Sequence, residues 1–427
     1  MNSILQITRR VNGEWILYSL LFFAVWFVLP VASIFLFPVL LYRFQFSRKI
    51  ENLMLFLMAI SFGLVAYTTR STGTTDSDIA RYYDLYQGIA TIKTFQQFVF
   101  VFVIDGTNNI LFYLVTFLMT KLFPDNPQVL PLFWVTITYL FSFLALKEFV
   151  RFFSLSRNQY ILLLFFSCVG IITFYTTTEI IKQTASVAIM CYAIILKISG
   201  KKGSLWMAII SLLVHFSSFL ILPVYLFCKK RKLVYFLPFL FVICLALSFF
   251  NFNVLLYSIL SLFLHTGSDL LMRVQTYEDF ETWTISFRFY AVFAMYFFLV
   301  IIFYWDYFIT KDEEERKKKE SLLIIHCLAF FALLINLNNV HNFVRYVLGY
   351  FPFYMAAVVQ LFYMKIAKFD KTMIIIAVLT FYFYSNIKML IAQTAGPVYA
   401  NAYMNNDLFR IFTSNIVQFL QFKATHA

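Results

Sequence analysis

Residues 129–146 read VLPLFWVTITYLFSFLAL and contain no charged side chain. As an α-helix, this run is long enough to cross a hydrocarbon core of about 30 Å. Comparable runs recur at about 15–42, 51–68, 107–123, 128–150, 158–176, 180–198, 205–227, 233–250, 286–308, 321–337, 343–363 and 372–391. Segments 95–104 and 252–264 are apolar but shorter, so we expect them to be interfacial or re-entrant. The sequence therefore predicts an all-α fold, a polytopic transmembrane helical bundle with about 11–14 membrane helices, including broken or re-entrant ones.

The composition excludes a soluble globular protein. Of the 427 residues, 62% are hydrophobic and 13% are charged, whereas soluble domains carry roughly 25% charged residues. The net charge of +13 comes from short basic clusters between apolar runs, such as Lys229–Lys232. Such clusters mark cytoplasmic loops, so we expect no nucleic-acid partner. The five cysteines lie in or beside apolar runs without metal-binding spacing, and we expect neither a disulfide framework nor a cleaved signal peptide.

The chain is predicted to form a single integral membrane domain over residues 1–427, because it shows no repeat of fixed period and no low-complexity linker. The basic clusters place four segments on the non-cytoplasmic side of the membrane. These segments are a first outer loop at 69–94, a second outer loop at 251–285, the short segment 338–342 and the C-terminal tail at 392–427.

Three groups of cations conflict with an orientation in which every apolar run crosses the membrane once. They are Arg9 and Arg10; Lys147, Arg151 and Arg157; and Lys197, Lys201 and Lys202. The last two conflicts disappear if 96–123 and 205–227 are hairpins that break at Asp105-Gly106 and at His215–Ser218. Irregular backbone at membrane depth must face protein or a water-filled cavity. Single spans and hairpins both remain compatible with the sequence.

The loop from Thr68 to Tyr86 is the richest in polar and aromatic side chains. Asp76 is a suitable N-cap for a helix that follows it. Residues at three- and four-residue spacing then form one aromatic face, namely Ile79, Tyr82, Tyr83 and Tyr86. Charge of both signs comes from Arg70, Asp76, Asp78, Arg81 and Asp84. One interpretation is a solvated loop with an amphipathic helix on the membrane, and the other is the wall of a polar site.

Two further polar groups interrupt apolar runs. Glu179 and Lys182, followed by Gln183, open an apolar helix, where their spacing favours a shared face and a simple ion pair. Ionisable groups this close to hydrocarbon also serve cavities or pathways. His215 stands alone among apolar residues, either hydrogen-bonded to a neighbouring helix or available as a proton acceptor.

Three arginines occupy places that favour an anionic partner. Arg273 lies in the second outer loop, Arg288 begins the next apolar run, and Arg345 lies inside an apolar run. Arg345 either reaches the interface with its long side chain or binds an anion, from the protein or from a ligand. Several such cations suit a diphosphate headgroup, because arginine forms bidentate hydrogen bonds with phosphate. No Gly-rich phosphate loop is present, and a lipid diphosphate donor requires none.

With these residues in order, the chain resembles Wzy-type polysaccharide (O-antigen) polymerases of the EpsG family over roughly residues 50–365. The matching elements are Arg70-x-x-Gly73-x-x-Asp76 with Tyr82, Tyr83 and Tyr86; Glu179-Ile-Ile-Lys182-Gln183; Val214-His215-Phe216-Ser217-Ser218; and Arg345-Tyr346. The chain departs from the family at Lys182, where arginine is usual. Lysine keeps the charge but loses the planar fork.

The resemblance implies an inverting glycosyltransferase similar to the metal-independent polytopic glycosyltransferases. Such an enzyme joins undecaprenyl-diphosphate-linked oligosaccharide repeat units, as donor and acceptor, into O-antigen or a related surface polysaccharide. It acts on the periplasmic face of the bacterial inner membrane, in contact with membrane lipid, and needs neither a cofactor nor a metal. A chain-length regulator and a flippase are its expected partners.

The residues then receive hypothetical roles. The residues expected to bind the diphosphate and the sugars are Arg70, Arg81, Tyr82, Tyr83, Tyr86, Lys182, Gln183, Arg273, Arg288 and Arg345. Asp76, Asp78 or His215 would accept the proton of the attacking hydroxyl. One alternative is a single-sugar lipid-linked glycosyltransferase in which Asp76-Ser-Asp78 is a metal-binding DxD motif. Another is a lipid-linked oligosaccharide transporter or flippase, a class that often shows inverted repeats.

Overall fold

The protein is a helical bundle in the computed structural model, which describes residues 17–44, 46–70, 78–104, 109–250, 261, 287–364, 368–395, 402–403 and 408–422. The helices of the first half are α1 (Leu17–Val28), α2 (Ser33–Arg43), α3 (Arg48–Tyr67), α4 (Asp78–Ala90), α5 (Phe95–Phe98), α6 (Ile110–Leu122), α7 (Val129–Phe152), α8 (Arg157–Phe166), α9 (Phe174–Glu179) and α10 (Ile181–Ile198). π-Helical turns extend α5 over Val99–Ile104 and α8 over Ser167–Ile171.

The second half continues in the same way. Its helices are α11 (Ser204–Val214), α12 (Leu222–Phe227), α13 (Leu237–Ser248), α14 (Phe287–Ile309), α15 (Glu313–Leu334), α16 (Val340–Gly349), α17 (Phe351–Tyr363), α18 (Lys368–Ala395), α19 (Leu408–Thr413) and α20 (Ile416–Gln421). Short 3-10 helices cover Phe216–Leu220 and Arg231–Phe236.

The predicted membrane bundle is confirmed by helix length and composition. Among the described residues, five helices are long and apolar enough to cross a membrane alone: Arg48–Tyr67, Val129–Phe152, Ile181–Ile198, Arg231–Ser248 and Phe289–Ile309. Helices α16 and α17, bent by 46° against each other, would together form a sixth span. The remaining helices are broken, shorter or charged near one end, in agreement with the expected mixture of complete and interrupted membrane helices.

The antiparallel helices α3 and α7 define two ends of the bundle. At one end, Lys147 Nζ lies 2.8 Å from Glu51 Oε2; at the other, Gln128 Nε2 donates to the Tyr67 carbonyl at 2.6 Å. The 20 residues of α3 separate these ends by about 30 Å at 1.5 Å per residue. We call them the charged end, which contains Glu51, and the α4 end, which contains Tyr67.

Two of the three basic groups that conflict with single crossings gather at the charged end, and the third, Arg9 and Arg10, lies outside the described residues. Glu148 contacts Arg48 at 3.4 Å, Arg151 at 3.3 Å, and also Lys201. These cations come from three parts of the chain and share one carboxylate, so they lie on one side of the membrane. The finding agrees with the two hairpins and contradicts the single-crossing alternative.

The described parts of segment 96–123 form two arms of a hairpin that starts and ends at the α4 end, and the predicted break at Asp105-Gly106 lies outside the described residues. The rings of Phe98 and Phe117 stack with centroids 4.8 Å apart, so the two arms run antiparallel. The Lys121 ammonium donates to the carbonyl of Ile92, which places the end of α6 beside the start of α5.

Segment 205–227 is a second hairpin, which starts and ends at the charged end. Ser204 and Tyr225 place their hydroxyl oxygens 3.4 Å apart, and Lys197 Nζ donates to the Tyr225 carbonyl at 2.7 Å. Helix α11 ends where His215 adopts an extended conformation, with φ −153°. The predicted break at His215 is therefore confirmed.

The expected single span at 15–42 is wrong, because this segment also folds back. Helix α1 ends before Pro30, since the residue before a proline disfavours helical geometry. Helix α2 then returns, so that the rings of Tyr18 and Phe44 stack at 4.1 Å. Ser61 Oγ, about two-thirds of the way along α3, donates to the Pro30 carbonyl at 2.7 Å and fixes the turn.

Two short strands join the start of the predicted first outer loop to the C-terminal tail. Strand β1 (Thr69–Arg70) pairs antiparallel with β2 (Ala402–Tyr403). Helix α20 contacts the same place, where the Tyr67 hydroxyl donates to the Leu420 carbonyl at 3.2 Å. The tail is thus attached at the α4 end. The second outer loop, 251–285, lies outside the described residues except Ser261.

Candidate functional site

An ion pair between α4 and α16 forms the centre of the candidate site. Arg345 Nη2 lies 2.7 Å from Asp78 Oδ2, and both side chains are mostly buried. Arg81, one turn further along α4, approaches the other carboxylate oxygen of Asp78 at 3.7 Å. Arg345 was expected to need an anionic partner, and Asp78 is that partner within the protein.

Glu179 adds a second carboxylate to this cluster. Its Oε2 accepts a hydrogen bond from the backbone N–H of Asp78 at 3.2 Å. Glu179 is the last residue of α9, and Ile180, with φ −106° and ψ 51°, separates it from α10. Glu179 and Lys182, expected at the head of one helix, lie in two helices that are separated at Ile180.

Lys182 faces two aromatic rings at the head of α10. Its ammonium lies 5.6 Å from the ring centroid of Tyr82 and 5.5 Å from that of Phe112, within the range of cation–π attraction. Burial raises the pKa of Tyr82 well above its usual value; the Asp78 carboxylate adds to the rise, while Arg345 opposes it. The phenol therefore stays neutral at physiological pH, next to groups of both charges.

The tips of the two hairpins meet beside this cluster. The backbone N–H of Phe216 donates to Asn109 Oδ1 at 3.1 Å, and Asn109 directly precedes α6. His215 Nδ1 accepts from the Ser217 backbone N–H at 3.2 Å, which holds the break in shape. The hairpins enter from opposite ends of the bundle, so their contact lies in its interior.

A buried serine cluster connects the second hairpin to α10. Ser218 Oγ donates to Ser186 Oγ at 2.9 Å, and Ser211 Oγ donates to the Ser186 carbonyl at 2.7 Å. Ser186 is four residues after Lys182, on the same face of α10. The His215 segment is therefore packed one helical turn from the lysine.

The model of the EpsG family matches residues 53–404, which include α4, the head of α10, both hairpin tips and Arg345. The chain belongs to the EpsG family. This membership supports a glycosyltransferase-like role in making polysaccharide chains. The searches of curated proteins and of solved structures returned no match.

Five predicted site residues come together in this EpsG-family chain. They are Asp78, Arg81, Tyr82, Lys182 and Arg345. They come from three elements, α4, α10 and α16, far apart in sequence but adjacent at the α4 end. His215 belongs to the neighbouring hairpin tip rather than to the ion-pair cluster.

Four other predicted residues are described in part or not at all. Asp76 and Arg273 lie outside the described residues. Arg70 is placed by its backbone in β1, opposite Ala402. Arg288 is the second residue of α14, a helix that packs on α16 through the rings of Tyr290 and Phe343.

Three further candidates are buried in packing around the cluster. The Tyr83 hydroxyl donates to the Thr69 carbonyl and the Tyr86 hydroxyl to the Phe123 carbonyl, each at 2.8 Å. Gln183 is buried against Gly349 in α16. The aromatic face predicted for α4 exists and faces the protein interior. Sugar contact by these rings stays a prediction.

Two neighbours of the site escaped prediction from the sequence. Asn109 lies among polar residues next to Asp105-Gly106. These residues predicted a break in the hairpin, but they did not identify Asn109 as a residue that contacts the second hairpin. Phe112 is one of many phenylalanines in an apolar run and gave no signal. Within the described part of the chain, no group of three or more His, Cys, Asp or Glu residues is arranged to hold a metal ion.

Proposed function

We propose that this EpsG-family chain polymerises oligosaccharide repeat units carried on undecaprenyl diphosphate, making O-antigen or a related surface polysaccharide. The observation that carries the proposal is the gathering of Lys182 and Arg345 around α4, beside two carboxylates, Asp78 and Glu179. The cations can bind an anionic donor that is held in the membrane. The carboxylates can accept the proton that the acceptor hydroxyl must lose.

The chemistry is a single displacement at the anomeric carbon of the donor sugar. The acceptor hydroxyl oxygen forms the new glycosidic bond while the bond from the anomeric carbon to the diphosphate oxygen breaks, which inverts the configuration. The diphosphate leaves with the electron pair, and Lys182 and Arg345 stabilise its growing charge. The hydroxyl proton passes to a base. Asp76, Asp78 and His215 are candidates from sequence, and the geometry adds Glu179.

The same proposal places the site on the periplasmic face of a bacterial inner membrane. The basic clusters lie at the charged end, about 30 Å from Tyr67 along α3. Positively charged loops favour the cytoplasm, so the α4 end would face the periplasm. A flippase would deliver lipid-linked units there, and a chain-length regulator would act on the product.

Complementation tests the proposal. Alanine variants at Arg70, Asp76, His215 and Arg345 are introduced separately into a polymerase-deleted strain, and glycan ladder length is scored. Short ladders or single repeat units are expected from these variants at normal protein levels. Arg410→Ala, at an exposed cation of α19, serves as the control and should give full ladders. Full ladders from all four variants would remove the proposed site.

The two rival functions predict different results. A DxD glycosyltransferase would hold a divalent cation with Asp76 and Asp78 and would lose activity in EDTA. The ion pair of Asp78 with Arg345 favours the metal-independent reaction. A flippase would move lipid-linked units without lengthening them, so chain extension by the purified protein excludes it.

A further inference from the structure

A polar cavity lies at the charged end, far from the proposed polymerase site. Its volume is about 380 Å³, within the range of about 300–1,000 Å³ typical of small-molecule sites. Its wall comes from the end of α2, the start of α3, the end of α7 and the start of α8. The polar lining residues are Glu51, Lys147, Arg151, Arg157 and Tyr160.

The lining contains three cationic side chains and one carboxylate, that of Glu51, which already has several partners within the protein. Glu51 binds Lys147 at 2.8 Å and lies 3.9 Å from Arg151. It also accepts the Tyr160 hydroxyl at 3.0 Å. Arg151 is also held by Glu148, a carboxylate outside the lining, at 3.3 Å. Lys147 and Arg151 are thus paired with carboxylates, whereas no ion pair joins Arg157 to an acidic residue in the described part of the chain.

Arg157 is the side chain that points to a ligand. Its Nη2 is buried and has no hydrogen-bond partner among the residues that the structure describes. A buried cationic donor without an acceptor is costly. A phosphate would accept its hydrogen bonds, and the guanidinium geometry suits a bidentate contact. Arg157 is also the first residue of α8, where the helix dipole favours an anion.

The rest of the wall is apolar. It consists of Leu41, Phe44, Phe46, Val150 and Leu155. A dissolved phosphate would gain nothing from this surface, whereas an acyl chain attached to the phosphate would bury apolar area against it. Basic pockets between membrane helices on the cytoplasmic side bind anionic lipid headgroups.

We propose that this cavity binds the phosphate of an anionic phospholipid through Arg157, beside the paired cations Lys147 and Arg151, with an acyl chain along the apolar wall. The lipid ties α2, the start of α3 and the start of α8 together at the charged end. It is bound independently of the polymerase reaction, since the cavity and the Asp78 cluster lie at opposite ends of the bundle.

Thermal unfolding of the purified full chain in detergent tests the proposal, with phosphatidylglycerol, phosphatidylcholine or inorganic phosphate added. Phosphatidylglycerol should raise the melting temperature by at least about 3 °C, as expected for a ligand of the folded state. Phosphatidylcholine and inorganic phosphate should leave it unchanged. An equal rise with inorganic phosphate would assign the site to a free anion and overturn the lipid assignment.

Variants locate the effect. Arg157→Gln should abolish the rise, while Lys232→Gln, which removes one exposed cation outside the cavity lining, should keep it. A full rise in Arg157→Gln would overturn the proposal. If that variant does not fold, native mass spectrometry of the wild-type protein decides: retained anionic phospholipid supports the site, and its absence contradicts it.

Discussion

The guanidinium of Arg345 donates a 2.7 Å hydrogen bond to the carboxylate of Asp78, across 267 positions of the chain. The pair attaches α16 to the first turn of α4. It also leaves two cations of the proposed diphosphate site, Arg345 and Lys182, close to Tyr82. The contact is therefore both a connection between helices and a candidate part of the reaction site, and these two roles predict different mutant behaviour.

Arg345→Gln should lower polymerisation by about 10²–10³-fold, the loss typical when one group that stabilises developing charge is removed. The double variant Asp78→Arg with Arg345→Asp restores an opposite-charge pair and should recover protein yield and melting temperature. It should not recover glycan ladders, because the cation has changed place. Recovery of full ladders by the swapped pair would show that the contact is only structural.

Glu179→Gln keeps an oxygen that accepts the Asp78 N–H and removes the charge. If Glu179 takes the proton of the acceptor hydroxyl, the initial rate of chain extension should fall by about 10²–10⁴-fold, with an unchanged melting temperature. His215→Gln should lower the rate less, because His215 Nδ1 already accepts from the Ser217 backbone. A wild-type rate in Glu179→Gln, combined with a large loss in His215→Gln, would transfer the role of base to His215.

Cysteine labelling tests the two hairpins on intact cells. Lys93→Cys and Lys121→Cys replace exposed lysines that flank the first hairpin, and Lys202→Cys and Lys229→Cys do the same for the second. In a background without the native cysteines, an impermeant maleimide should label the first two sites and not the last two. If either pair gave one labelled and one protected site, that segment would be a single crossing.

Gly63→Ala should destabilise the bundle. An added Cβ would lie 2.1 Å from Thr136 Oγ1 and 2.6 Å from the Leu132 carbonyl oxygen, so α3 and α7 would have to separate. Overpacking of this kind costs about 1–3 kcal/mol, and the melting temperature should fall. Gly88→Ala is the matched control, because no atom lies within 4 Å of its added Cβ and alanine favours the exposed helix. Equal melting temperatures would contradict the close approach of α3 and α7.

The sequence predicted the parts of the fold that depend on local pattern. Apolar runs gave the long helices, and the charge conflict at Lys147 and Lys201 pointed to the hairpins that the structure contains. The run at 15–42 was predicted as one span because its hydropathy continues through Pro30, whereas the backbone turns there. Hydropathy indicates whether a segment prefers the membrane or water. The turn instead depends on one proline, whose ring restricts the backbone of the residue before it.

The site was predicted as a set of residue types and not as a set of contacts. Arg345 was expected to bind an anion, but no local feature identifies Asp78 as its partner. Similarly, the break at His215 is visible in the sequence, while its contact with Asn109 requires the packing of two separate hairpins. Such long-range pairs depend on how whole helices are arranged, which residue spacing does not encode.

The most direct test is chain extension by the purified protein in vesicles, with an undecaprenyl-diphosphate-linked repeat unit as the only substrate and EDTA present. The account predicts a ladder of longer glycans from the wild-type protein and release of undecaprenyl diphosphate, both strongly reduced in Arg345→Gln. Unchanged substrate length with folded wild-type protein, or equal ladders from Arg345→Gln, would contradict it.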